Sequence, residues 1–171
     1  MKLSEFLVRE AIITDLLATT KEGAIREIVR SVQDAGHLAE VDTETLTGAF
    51  LEREELGSTA IGLGVALPHG GHPAVDHVFG TIALSRRGVE FNSFDGKPVD
   101  IFVLLFHSPD DFSGKPIKPG DGGIYDAFRG LKPYVEDVRF LDRLRECRTR
   151  EGVFDLIVEG DREDASPRDP K

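Results

Sequence analysis

Cysteine is almost absent from this chain of 171 residues, since Cys147 is the only one. No intrachain disulfide can form, and we expect the protein to work in a reducing compartment. The sequence also lacks any apolar run near the roughly 18 residues that a membrane span requires. No charged and then apolar leader follows Met1, so we predict a cytoplasmic protein without membrane insertion.

Positive charge is also scarce. The chain has 21 lysines and arginines against 31 aspartates and glutamates, which gives a formal net charge of -10. Such a surplus of negative charge opposes binding to nucleic acid phosphates. The local basic cluster at 143–150 is interrupted by Glu146 and flanked by Asp142 and Glu151, a pattern typical of a solvated helix face. We therefore predict no binding to DNA or RNA.

Two patterns of apolar residues define the fold class. Apolar residues recur at spacings of three and four in a helix that begins at Lys21 and is ended by Gly36, and in a second helix from residue 42 or 43 to about residue 53. Further helices are predicted at 124–135, 138–147 and 150–158. The segments 60–67, 78–84 and 99–106 are apolar at nearly every position, which indicates strands buried on both faces. We predict an α/β fold, a mixed central β-sheet with helices on both faces, forming a three-layer sandwich and a single domain.

Two segments carry little that could enter a core. Residues 108–123 contain three prolines, four glycines and three aspartates, so we predict a surface loop whose length indicates either a function or disorder. Residues 161–171 are charged and contain proline. We therefore assign residues 1–160 to the domain and residues 161–171 to a disordered C-terminal tail.

A glycine-rich run from residue 57 to 70 contains the most informative residue of the chain. The run brings His69 to a turn directly after Pro68. Imidazole is the side chain whose ordinary pKa allows it to be a neutral nucleophile or a general base near pH 7. The lysine of a nucleotide P-loop is missing from the spacing, so nucleotide binding is not indicated. The run predicts a reactive histidine.

Residues 53–62, which read REELGSTAIG, and residues 65–70, which read VALPHG, resemble the signature of the fructose/mannitol-type (type 2) enzyme IIA of the bacterial phosphotransferase system. The similarity extends upstream to Leu16 and downstream through Phe91, Phe94 and the strand that ends at Phe106. No transporter domain or phosphocarrier domain is attached, so the chain looks most like the stand-alone nitrogen-regulatory branch.

The resemblance implies a phosphohistidine carrier. His69 would accept a phosphoryl group from the histidine phosphocarrier protein HPr, and the guanidinium fork of Arg53 would hold the phosphate oxygens. Ser58 and Thr59 would help to position the phosphoryl group, or alternatively cap the end of a helix. Because the donor is itself a phosphorylated imidazole, no cofactor and no metal are expected. Partners after HPr would be a IIB phosphocarrier domain or a regulatory protein.

The chain departs from the family pattern at one position. Family members carry a second histidine at the start of the helix that follows the last central strand, whereas residues 122–126 here contain none. His107 is the substitute that the sequence offers, because it follows the strand at 99–106. Strand ends commonly line the crevice of open α/β sheets. His107 either faces the site or is bonded to loop backbone.

Two other functions compete with phosphotransfer. The first is a non-catalytic regulatory binding module that keeps the fold and uses the loop at 108–123 as its partner surface. The second is a zinc-dependent hydrolase built on His69, His72 and His77, although their spacing matches no familiar metal motif. The simpler interpretation places His72 and His77 on the surface of the turn after His69.

Overall fold

A computed structural model describes residues 1–112 and 122–163 of the chain. The helices and strands, in chain order, are α1 (Leu3–Phe6), α2 (Lys21–Asp34), α3 (Thr43–Glu55), β1 (Ala60–Gly62), β2 (Val65–Ala66), β3 (His69–Gly71), β4 (Phe79–Val89), β5 (Val99–His107), α4 (Ile124–Glu136), α5 (Val138–Glu146) and α6 (Arg150–Glu163). Short 3-10 turns lie at Arg9–Ala11 and Pro109–Phe112.

The sheet is mixed and is organised around β5. Strand β4 pairs antiparallel with one edge of β5, while β2 and β3 pair parallel with its other edge. Strand β1 forms an antiparallel hairpin with β2. On the far side of β4, Leu7 and Ile13 form isolated parallel bridges, so the N-terminal segment borders the sheet there.

Residues on β5 alternate between two hydrophobic cores, as side chains on a strand must. Phe102, Leu104 and Phe106 pack with the apolar faces of α2 and α3. Ile101, Val103 and Leu105 pack with the apolar residues of α4, α5 and α6. Helices therefore cover both faces of the sheet, and the predicted three-layer α/β architecture is confirmed.

The C-terminal boundary differs from the prediction. Helix α6 continues to Glu163, and the carboxylate of Asp161 is buried against α1, where the backbone amides of Leu3 and Ser4 each donate to it at 3.0 Å. Burial raises the pKa of this carboxyl, but hydrogen bonds from Ser4, Tyr134 and Leu3 outweigh burial and leave the pKa lowered. Residues 161–163 are thus helical, while 164–171 lie outside the described residues.

The predicted surface loop falls mostly on undescribed positions. Residues 109–112 form a 3-10 turn, and Asp111 accepts a hydrogen bond from the Ile124 backbone amide at 3.0 Å, which caps the start of α4. Residues 113–121 lie outside the described residues, and with them most of the partner surface predicted for a binding module. Pro133 lies inside α4.

The basic segment near the C-terminus joins elements of the fold. Arg145 donates to both carboxylate oxygens of Asp100, at 2.8 and 3.0 Å, and links α5 to the start of β5. Arg143 forms a similar two-bond pair with Glu159 on α6. The segment is therefore partly structural, whereas its sequence predicts a solvated helix face. Within the described part of the chain, no helix is long and apolar enough to cross a membrane.

Candidate phosphoryl-transfer site

The glycine-rich run delivers His69 to β3, where it pairs with Leu105 of β5. Two glycines follow, and each leaves room for a ring. A Cβ atom at Gly70 would lie 3.0 Å from the Phe50 ring, and one at Gly71 would lie 3.0 Å from the His107 ring. The small residues after His69 therefore allow rings from α3 and β5 to approach its strand closely.

The two ring nitrogens of His69 have different partners. Nδ1 lies 2.9 Å from the carbonyl oxygen of Leu67, and Nε2 accepts a hydrogen bond from Nε of Arg53 at 3.0 Å. A carbonyl oxygen only accepts, so its contact assigns the proton to Nδ1. The contact with Arg53 independently requires a lone pair on Nε2. His69 is therefore held as the tautomer whose nucleophilic nitrogen is Nε2.

The surroundings of His69 favour the neutral ring. Burial lowers its pKa below the ordinary value of 6.5, the hydrogen bond to the Leu67 carbonyl opposes this in part, and the charges of Arg53 and His107 lower the pKa further. The side chain is almost covered, with 8% of the residue exposed. A neutral, buried imidazole with its lone pair directed at a guanidinium is suited to nucleophilic chemistry on an anionic substrate.

Arg53 lies in the last turn of α3 and reaches His69 along the wall of the cavity. Besides the contact with His69, its Nη1 donates to the carbonyl oxygen of Gly57 at 2.9 Å. This second bond fixes the plane of the guanidinium relative to the ring. The structure thus brings together the predicted acceptor and the predicted clamp, 16 positions apart in the chain.

His69 opens into a cavity with a volume of 670 Å³ at one end of the sheet. Its lining residues are Ala49, Glu52, Arg53, Leu56, His69, Gly70, Gly71, His107 and Phe128. His107 is buried and its ring centre lies 6.2 Å from that of His69. Its Nδ1 donates to the Ser108 carbonyl at 2.7 Å. His107 therefore both faces the site and is bonded to loop backbone.

Phe128 also contacts His69, and sequence reasoning missed it. The Phe128 ring meets the His69 ring at 79°, with 5.1 Å between ring centres, in an edge-to-face arrangement. Phe128 lies one turn after the start of α4, so it reaches the site from the helix on the opposite face of the sheet from α3. In the sequence, Phe128 is one apolar residue in the stripe of a predicted helix. Such a stripe indicates packing in the core and does not indicate a contact with His69.

Ser58 and Thr59 do not line the cavity. The Ser58 hydroxyl donates to the carbonyl oxygen of Phe91, and the Thr59 hydroxyl donates to the carboxylate of Glu54. The Thr59 backbone amide also donates to Glu54, at 3.2 and 3.3 Å. We correct the prediction accordingly: as the structure places them, these hydroxyls fasten the segment between α3 and β1 and do not reach toward His69.

Glu54 is the buried anchor of that segment. Its side chain is 3% exposed, and Lys21 of α2 approaches its carboxylate to 3.3 Å. The Lys21 ammonium also lies over the Phe91 ring, 4.6 Å from the ring centre. Glu54 therefore joins α2, α3 and the residues before β1 beside the point where Arg53 leaves α3.

Glu54→Gln is expected to lower the free energy of unfolding by about 1–3 kcal/mol, because the amide has one acceptor oxygen where the carboxylate has two, and leaves Lys21 without its anion. Urea denaturation followed by circular dichroism measures the change. The exposed neighbour Glu55 supplies the control, since Glu55→Gln is expected to leave stability nearly unchanged. Equal effects of the two substitutions would contradict the anchoring role.

The described residues do not support the zinc hydrolase. They contain no group of three or more histidine, cysteine or acidic side chains placed to hold a metal ion. His72 accepts a hydrogen bond from the Ala74 amide at 3.1 Å, and His77 contacts its neighbour Asp76. Neither histidine lines the cavity beside His69, in agreement with their predicted place in the turn.

Comparison with known proteins finds nitrogen regulatory proteins and sugar-specific enzymes IIA. A nitrogen regulatory protein of Bradyrhizobium diazoefficiens is 29% identical over 158 residues, covering 92% of this chain and 95% of that protein. The crystal structure of nitrogen regulatory protein IIA-Ntr from Neisseria meningitidis matches with a TM-score of 0.74 at 24% identity, over 91% of this chain and 98% of that one. Enzyme IIA of the mannitol system from Escherichia coli, solved in complex with phosphorylated enzyme IIB, matches with a TM-score of 0.66 at 22% identity, over 88% and 95% of the chains.

The sequence also matches a family model directly. The model is described as phosphoenolpyruvate-dependent sugar phosphotransferase system, EIIA 2, and it covers residues 5–119. That range includes α2 through β5, and with them Arg53, His69 and His107. The fold, the length of the match and the relatives agree, and the chain belongs to the type 2 enzyme IIA family of the phosphoenolpyruvate-dependent sugar phosphotransferase system.

Proposed function

We propose that this protein is a phosphohistidine carrier that accepts a phosphoryl group from HPr on Nε2 of His69. The observation that carries the proposal is the pair of contacts at the ring, which leave Nδ1 protonated and the lone pair of Nε2 beside Arg53 at the cavity. The family and the nitrogen regulatory relatives support a phosphocarrier role. The domain that performs it includes the whole of α6, which ends at Glu163.

The chemical step needs little beyond positioning. Nε2 attacks the phosphorus of the HPr phosphohistidine, a new P–N bond forms, and the P–N bond of the donor breaks with its electron pair returning to the donor imidazole. Phosphoryl transfer spreads negative charge over the equatorial oxygens, which a guanidinium fork can neutralise. Because one imidazole replaces another, the step requires no nucleotide and no metal.

Arg53 changes partner during this step. In the structure its Nε donates to the nitrogen that must attack phosphorus, so this bond is exchanged for bonds to the phosphoryl oxygens as the P–N bond forms. The second bond, from Nη1 to Gly57, keeps the guanidinium at the cavity wall meanwhile. His107 lies across the cavity and is the second ring that can contact the transferred group.

The phosphorylated form is proposed to act as a switch. A phosphoryl group adds about two negative charges near pH 7, at a cavity whose rim carries the exposed side chains of Glu52 and Leu56. A partner that docks there meets a different surface before and after phosphorylation. The mannitol relative was solved with its phosphorylated IIB partner, which supports a IIB domain as one such partner beside a regulatory protein.

Incubation with phosphoenolpyruvate, enzyme I and HPr tests the proposal. Intact mass is expected to show the gain of one acid-labile phosphoryl group, and fragmentation of the labelled peptide is expected to place it on His69. Omission of HPr is the matched control and is expected to prevent labelling. A wild-type protein that stays unlabelled, while a known enzyme IIA is labelled in the same mixture, would overturn the proposal.

The pH dependence follows from the lowered pKa of His69. Attack requires the neutral ring, and a pKa below 6.5 delays protonation to lower pH. The fraction of reactive His69 is therefore expected to stay high to a lower pH than that of an imidazole with the ordinary pKa. Titration of the ring by NMR between about pH 5 and about pH 8 measures this fraction in the absence of HPr, so that ionisation of HPr does not affect the result. A midpoint for His69 above 6.5 would contradict the expectation.

A further inference from the structure

Phe128 is the large apolar side chain of the cavity that contacts the His69 ring. The other apolar contributions to the lining are small or point outward: Ala49 is small, the two glycines have no side chain, and Leu56 is 85% exposed. The Phe128 ring is half-buried and meets the His69 ring edge to face. It therefore closes the side of His69 that faces α4.

The position of Phe128 is fixed by the helix that bears it. Helix α4 begins at Ile124, which is fully buried, and Asp111 caps its first turn from the segment after β5. Ala127 and Leu131, on either side of Phe128, belong to the core between α4 and the sheet. A half-buried ring between two core residues has little freedom to leave His69.

We propose that Phe128 sets the lifetime of the phosphoryl group on His69 by excluding water from the side of the imidazole that it contacts. The inference rests on the proposed function, since it concerns the phosphorylated form. Loss of the group occurs by hydrolysis, in which a water oxygen attacks phosphorus, the P–Nε2 bond breaks with its electron pair returning to the ring, and orthophosphate leaves. Protonation of the ring makes it a better leaving group.

Hydrolysis is favoured by access of water to the phosphorylated ring and by protonation of that ring, and Phe128 opposes both. The Phe128 ring occupies space from which water could approach the imidazole, and it places an apolar group where water would otherwise solvate a charged ring. Burial is the largest cause of the lowered pKa of His69, which agrees with this arrangement. Phe128 is a positioning residue, because the bond that forms and breaks lies on His69.

The test uses phosphoramidate as a chemical phosphoryl donor, so that it does not depend on HPr. Nε2 of His69 attacks its phosphorus, the P–N bond of phosphoramidate breaks and ammonia leaves. After removal of the reagent, the half-life of the group on His69 is followed by NMR for the wild type, Phe128→Leu and Phe128→Ala. Phe154→Ala is the matched control, since Phe154 is a half-buried ring packed on the same core but absent from the cavity lining.

We expect Phe128→Ala to shorten the half-life about three- to tenfold and to raise the pKa of His69 in the unphosphorylated protein by about half a unit to one unit. Phe128→Leu, which preserves the fold most closely, is expected to fall between the wild type and the alanine variant. Phe154→Ala is expected to match the wild type in both measurements.

Two results would overturn the inference. One is an unchanged half-life in both Phe128 variants, and the other is a His69 pKa that moves no more in Phe128→Ala than in Phe154→Ala. The ring titration needs no phosphorylation at all, so it can overturn the inference before any donor is used. A wild type labelled by phosphoramidate but not by HPr would contradict the proposed function and leave the role of Phe128 to be decided by the half-lives.

Discussion

His69→Gln is expected to abolish labelling by HPr, with a loss of at least about 1000-fold in rate. The glutamine amide can still accept a hydrogen bond from Arg53 in place of Nε2, so the contact that orders the guanidinium is retained. An amide has no lone pair of comparable nucleophilicity, because its nitrogen electrons are delocalised. The variant therefore separates loss of the chemistry from loss of the site.

The measurement is the gain of a phosphoryl group in the presence of phosphoenolpyruvate, enzyme I and HPr. His72→Gln is the matched control, since the His72 side chain accepts a hydrogen bond from the Ala74 amide in the turn after His69 and does not line the cavity; it is expected to label like the wild type. His107→Gln is expected to slow labelling but to leave the group on His69. Labelling of His69→Gln at residue 107 would show that the acceptor had been assigned to the wrong ring.

The layered fold could be predicted because the spacing of apolar residues along helices and strands can be read from a single sequence. The run at 99–106 is apolar at nearly every position, and in the structure alternate residues of β5 enter the two cores. The end of the domain was less predictable. Asp161 stands in a charged segment, and only the position of α1 shows that the backbone amides of Leu3 and Ser4 are its partners.

In the candidate site too, some residues could be predicted from the sequence and others could not. His69 and Arg53 lie in one continuous motif, and the motif specifies their types and spacing together. The hydroxyls of Ser58 and Thr59 lie in that motif too, yet Glu54 and the Phe91 carbonyl compete for them, and a sequence does not show which acceptor is nearer. Phe128 comes from a helix 59 positions after His69, and only the packing of α4 on the sheet brings it to the ring.

Arg53→Lys is expected to slow phosphorylation by HPr about 100-fold, which corresponds to about 2.7 kcal/mol of transition-state stabilisation. Lysine keeps the positive charge but not the planar fork. In the structure Arg53 uses Nε for His69 and Nη1 for Gly57 at the same time, and an ammonium cannot reproduce both directions. Arg53→Ala is expected to be slower still, because it also removes the charge.

Single-turnover mixing with phosphorylated HPr separates these effects, since the maximal rate at saturating HPr reports the chemical step and the concentration dependence reports docking. Arg53→Lys is expected to lower the maximal rate and to change the half-saturating HPr concentration little. Arg26→Lys is the control and is expected to change neither quantity, because Arg26 lies on α2, pairs with Glu22 and Glu44, and does not line the cavity. A lysine variant with the wild-type maximal rate would mean that charge alone suffices, and that the fork observed beside His69 serves only to hold the ring.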